Sequence, residues 1–64
     1  MDGLLCGKMP NGHLLWETVH YDRRRVRELT IEEHVALFGP RLTWKTLYRR
    51  GYRLVHVRLV EMRK

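Results

Sequence analysis

Apolar positions in this chain alternate near its start, shift to a three-to-four spacing in the middle, and alternate again towards the end. Residues 4–9 and 13–21 are two apolar-rich runs separated by Pro10, Asn11 and Gly12. The proline sets φ and the Asn–Gly pair tolerates the positive φ of a tight turn, so these runs predict a β-hairpin. Trp16, Thr18, Val19 and Tyr21 are good strand formers, and Gly7 signals a bulge or a close backbone approach in the first strand. Alternation in the second strand is imperfect and leaves its register open.

Asp22, Arg23, Arg24, Arg25, Val26 and Arg27 read as a basic turn leading into an optional short edge strand that ends at Leu29. Thr30, Ile31, Glu32 and Glu33 then have the form of a capping box. Ile31, Val35 and Phe38 follow at helical spacing with Ala36 and Leu37 beside them, and Gly39 and Pro40 stop the run, which predicts a first helix over residues 31–38. A second helix is expected from Thr43, a candidate N-cap, to Gly51 as the left-handed C′ residue. Trp44, Leu47 and Tyr48 make its apolar stripe, with Lys45 and Arg49 on another face.

Residues 52–62 are the plainest strand pattern. Val55, Val57 and Leu59 share one face and Leu54, Val60 and Met62 the other, with His56 and Arg58 between them. A strand apolar on both sides belongs in the middle of a sheet or against a partner, so Val57 is expected to be buried between helices and sheet. The resulting order, ββ(β)ααβ, is an α+β fold: a small sheet from an N-terminal hairpin plus a C-terminal strand, with two short helices packed on one face.

Sixty-four residues make one domain, near the size at which a single core is only marginally stable. At 44% hydrophobic residues, compact folding is expected rather than wholesale disorder. Cys6 is the sole cysteine, which excludes an internal disulfide, and His13, His20, His34 and His56 stand at no ligand spacing, so no metal or cofactor site is expected. The first residues lack a basic leader and a long apolar stretch, and no apolar run approaches ~18 residues; the expectation is a soluble cytoplasmic protein with no membrane association.

Charge changes the picture more. From Gly39 onward there are eight basic residues and one acid, Glu61, a net +7 against +6 for the whole chain. The first 29 residues hold five basic and four acidic residues, and residues 30–38 only Glu32 and Glu33. Charge sorted in this way points to a polyanionic or acidic partner. Ten of the thirteen basic residues are Arg, whose planar fork suits phosphate and carboxylate.

Three groups invite a catalytic reading: His20 with Asp22, Glu32 and Glu33 with His34, and Cys6 with His13. None converges with an orienting third group, and no catalytic residue is assigned. The basic residues form two sets in sequence, Arg23, Arg24, Arg25 and Arg27, then Lys45, Arg49, Arg50, Arg53 and Arg58. They interleave with Trp44, Tyr48 and Tyr52, a mixture that grips nucleic acid. Trp44 and Leu47 at helical spacing are expected in the core; Tyr48 and Tyr52 stay open between core and contact.

Residues 30–51 resemble the helix-turn-helix of excisionases and MerR-type regulators, with an acidic first helix, a glycine turn and a second helix rich in Thr, Tyr and Arg. That resemblance implies that Thr43, Lys45, Thr46 and Arg49 face the major groove. Pro40 at the turn and the lack of a wing hairpin after Gly51 depart from it. A hairpin, a Thr-capped helix and a last strand opening on Gly51, Tyr52, Arg53, Leu54 and Val55 is also similar to small ββαβ phage proteins that inhibit host RNA polymerase. That likeness places contacts loosely on Arg53 and Arg58, and compact phage inhibitors of CRISPR nucleases fit the size equally. The expectation is a non-enzymatic binding module whose partner is nucleic acid, DNA or RNA, or alternatively an acidic host protein surface. The oligomeric state stays open, a dimer included.

Overall fold

Hairpin, helix pair and last strand assemble as β1 (Leu4–Lys8), β2 (Leu14–His20), α1 (Arg23–Phe38), α2 (Trp44–Arg49) and β3 (Arg53–Val57) in a computed structural model that describes residues 3–58. The fold is α+β, with one antiparallel sheet ordered β2-β1-β3. The hairpin turn follows its residues: Gly12 takes φ +93°, its amide donates to Met9 O at 2.9 Å, and Asn11 Oδ1 accepts from the His13 amide at 2.9 Å.

The uneven alternation of β2 has a structural cause. Leu5 pairs with His20 but Gly7 pairs with Leu15, so β2 bulges where β1 advances by only two residues. Thr18 fills the gap. Its Oγ1 accepts from the Gly7 amide at 2.8 Å and donates to Leu15 O at 2.7 Å, replacing ladder bonds that the bulge removes. Leu15 and Thr18, three apart, are therefore the buried residues of β2, while Trp16 and Glu17 are exposed. Both meanings of Gly7 hold: it sits at the break in register, and a Cβ there would overlap Thr30 Oγ1 of α1.

Helix α1 starts eight residues earlier than the 31–38 expected, at Arg23, and the optional edge strand is replaced by its first turns. Asp22 is the N-cap, its carboxylate accepting from the Arg24 amide at 3.0 Å while its carbonyl takes the Val26 amide. The capping box at Thr30 is mid-helix. Arginine is a good helix former, and Val26, Thr30 and His34 at successive i+4 positions are the side chains that α1 buries. A stripe with two polar members has little apolar periodicity, which is why the helix began late in the sequence pattern. Thr30 keeps its hydroxyl satisfied within the helix, donating to Val26 O at 2.7 Å.

Helix α2 has the expected bounds. Thr43 caps its start, and Gly51 at φ +106° ends it. The Gly51 amide donates to Tyr48 O and the Tyr52 amide to Leu47 O, the paired bonds of a Schellman ending. That ending drives Tyr52 back beside Leu47, and with Leu15 the two make an apolar cluster ringed by Met9, Ile31, Leu42 and Trp44. Leu47 is fully buried, as expected of a core residue, whereas Trp44 is only half-buried against the edge of the cluster; Tyr52 is core and Tyr48 is exposed.

The central strand is β1 rather than the C-terminal strand. Leu4, Leu5, Cys6 and Gly7 are all buried, whereas β3 pairs only with β1, leaves His56 exposed, and holds Val55 and Val57 half-buried. A short uninterrupted apolar run proved the stronger mark of the middle position than a longer alternating one. The expected strand continued to residue 62, and positions 59–62 lie outside the described residues.

Candidate functional site

The two basic sets, Arg58 of the second excepted, lie at opposite ends of α1. Arg23, Arg24 and Arg25 occupy its first turn, exposed, beyond the end of β2. Arg58 follows β3 at the same end of the sheet, because Val57 pairs with Leu4 and Leu5 with His20. Helix α1 then runs back towards the hairpin turn. At 1.5 Å per residue its length carries Arg24 roughly 20 Å away from Phe38, near which α2 begins. The first set is mixed with acids: Asp22 precedes it and Arg25 pairs with Glu28 at 3.4 Å. Arg27 is half-buried, and its Nε has no hydrogen-bond partner among the described residues.

The second set has a different environment. No Asp or Glu occurs from His34 to Arg58. Arg41, Lys45, Arg49, Arg50 and Arg53 are exposed, and no ion pair among the described residues engages any of them. Arg49 also stands in the last turn of α2, where a cation offsets the helix dipole. Arg53 is partly committed to the fold: Nη1 donates to Tyr48 O and Tyr52 O, both at 2.7 Å, and the guanidinium lies 3.9 Å over the exposed Tyr48 ring. Thr43 and Thr46 are occupied with capping. The Thr46 amide donates to Thr43 Oγ1, and the two hydroxyls are 3.1 Å apart.

Beside this surface lies a feature the sequence pattern did not disclose. An open concavity of about 330 Å³ is bounded by Pro10 from the hairpin turn, His34 and Phe38 from α1, Pro40 and Leu42 from the connection, and Arg50 and Tyr52 beyond α2. His34 Nδ1 and Tyr52 Oη are 3.1 Å apart, with both residues buried. The Phe38 ring, on an exposed residue, stands 5.0 Å from that of His34. Burial pushes the Tyr52 phenol above its ordinary range, and the nearby Arg50 charge opposes that rise. The only sequence signals for this site were the i+4 spacing of Val26, Thr30 and His34 and the position of Tyr52 straight after a helix-ending glycine.

The groups considered for catalysis are arranged otherwise. Cys6 is fully buried, its thiol donating to Leu15 O at 3.2 Å, and desolvation raises its pKa, while His13 is exposed at the hairpin turn. His20 Nδ1 accepts from the Asp22 amide at 2.9 Å, and the Asp22 carboxylate caps α1. Glu32 is exposed and Glu33 half-buried, whereas His34 is buried against Tyr52. Among the described residues no three His, Cys, Asp or Glu side chains gather as a metal site, and no helix is long and apolar enough to cross a membrane. The chain matches no protein-family model, no curated protein and no solved structure.

Proposed function

We propose that this chain is a non-enzymatic module that binds nucleic acid through its phosphate backbone, using the surface of α2 and its flanks. The observation that carries this reading is the acid-free stretch from His34 to Arg58, in which Arg41, Lys45, Arg49, Arg50 and Arg53 stand exposed and without ion pairs among the described residues. Exposed cations crowded along an acid-free stretch favour a positive field, and a polyanion relieves their mutual repulsion. Exposed Tyr48 under the Arg53 guanidinium adds a flat surface of the kind that accompanies phosphate contacts.

Backbone contact suits this geometry better than base reading in the major groove. Helix α2 has six residues, ~9 Å of axis, and its Thr43 and Thr46 hydroxyls are engaged in the N-cap. Fluorescence anisotropy with labelled oligonucleotides over a salt series tests the proposal. Log K should fall linearly with log salt, by about 0.9 per duplex phosphate neutralised and about 0.7 per single-strand phosphate. Undetectable binding to both at low salt, together with a nuclease-resistant stoichiometric protein partner from a bacterial lysate, would replace it with docking on an acidic protein surface.

A further inference from the structure

We infer that the concavity beside Arg50 receives one unpaired nucleobase of a single-stranded nucleic acid; this deepens the phosphate-binding reading above and rests on it. Three features converge there. Phe38, 57% exposed, and the rings of Pro10 and Pro40 offer flat apolar surface at the opening, and covering such surface with a base is favourable. Within the wall, the Tyr52 hydroxyl and the His34 ring are bonded to each other, yet each keeps hydrogen-bonding capacity: the hydroxyl oxygen has a further lone pair, and His34 Nε2 has no partner among the described residues. Polar capacity set behind an apolar opening is what the edge of a stacked base engages.

One cation lines the concavity. Arg50 forms part of the wall, and Arg41 stands between the lining residues Pro40 and Leu42. In a nucleotide strand every base is flanked by phosphates, and Arg50 offers one of them a cation at the wall of the concavity. At about 330 Å³ the concavity is at the low end for small-ligand sites, which suits a single ring system rather than several residues of a peptide. In a duplex the bases are paired and stacked out of reach, so the site selects single strands.

The test compares a labelled oligothymidylate with an abasic strand of the same length, which keeps the phosphates and lacks the bases. Wild-type protein should bind the thymidylate strand roughly tenfold more tightly, within the range of one base–aromatic stack. Phe38→Ala should remove that ratio and leave abasic-strand affinity and salt slope unchanged, with circular dichroism confirming a fold that exposed Phe38 does not support. Equal binding of the two strands by wild type, or a thymidylate preference that survives Phe38→Ala, overturns the base site while phosphate binding stands. Failure to bind either strand at low salt removes both. A glutamate–tyrosine copolymer whose affinity drops on Phe38→Ala, beside an unaffected oligothymidylate, would reassign the concavity to a protein partner.

Discussion

The two ends of α1 carry similar charge on unlike foundations. Under its first half, packing is threaded with small and polar groups: Gly7, Cys6, Thr18 and Thr30 meet where β2 bulges, and hydroxyls replace missing backbone bonds. At its far end the core is apolar, with Leu15, Leu47 and Tyr52 holding α2 in place. The arginines of the first end sit among acids at a helix start, where their charge opposes the dipole; in the second set Arg49 and Arg50 sit at a helix end, and no acid is near any of the set in sequence. Equal runs of cations thus stand in unlike settings, one interleaved with acids and the other, proposed above to bind, without them. Local acids separate the two cases, and helix polarity adds to the contrast at Arg49.

The largest effect expected from breaking this contrast is on stability at the first end. Gly7→Ala places a methyl group against Thr30 Oγ1, and Thr18→Val strands the Gly7 amide and leaves the Leu15 carbonyl only the weak Cys6 thiol donor. Each should destabilise by about 3 kcal/mol, a large share of the ~5 kcal/mol available to so small a domain. Chemical denaturation reads this directly, and a shift of the midpoint near zero would mean that the bulge does not anchor the sheet.

Binding should divide the other way. Replacing Lys45 and Arg49 together by Ala should weaken oligonucleotide binding about tenfold or more and make the salt dependence shallower by up to about 1.8 in slope on duplex, or 1.4 on single strand, with the melting temperature nearly unchanged. The same exchange at Arg23 and Arg24 should leave affinity within about twofold. Equal losses at both ends would show that the protein uses its summed charge rather than one surface.

Charge reversal sharpens the comparison further, because the expected signs differ. Arg24→Glu puts an acid in the first turn of α1 and should stabilise by roughly 0.3–1 kcal/mol, whereas Arg49→Glu in the last turn of α2 should destabilise by a similar amount while abolishing binding. Thermal melts at low ionic strength measure both. The smallest effect is confined to alkaline solution. Burial raises the pKa of Cys6 and of Tyr52, so the folded state holds these protons more tightly than the unfolded chain. Their contribution to stability is complete below the unfolded values, about 8.5 for Cys and about 10 for Tyr, and is lost as pH rises towards the folded ones. Stability should fall above about pH 8.5, and Cys6→Ala should make the first part of that fall shallower.

Short-range chemistry determined a good deal of this protein from sequence alone. The Pro10, Asn11 and Gly12 turn, the Thr43 cap and the Gly51 ending are each set by residues within a few positions, so they were legible without the fold. The α+β class followed from the order of alternating and helical spacings. The start of α1 was not legible, because Val26, Thr30 and His34 form a burying stripe only when a bulged sheet presents Gly7 and Thr18 to it. Strand order was likewise decided by tertiary structure: β1 gains a neighbour on each side through pairing with β3, a contact some fifty residues away that no local pattern encodes. The concavity belongs wholly to the tertiary structure. Its wall combines a hairpin turn, the end of one helix and the residues beyond another, and only their packing brings His34 within hydrogen-bonding distance of Tyr52.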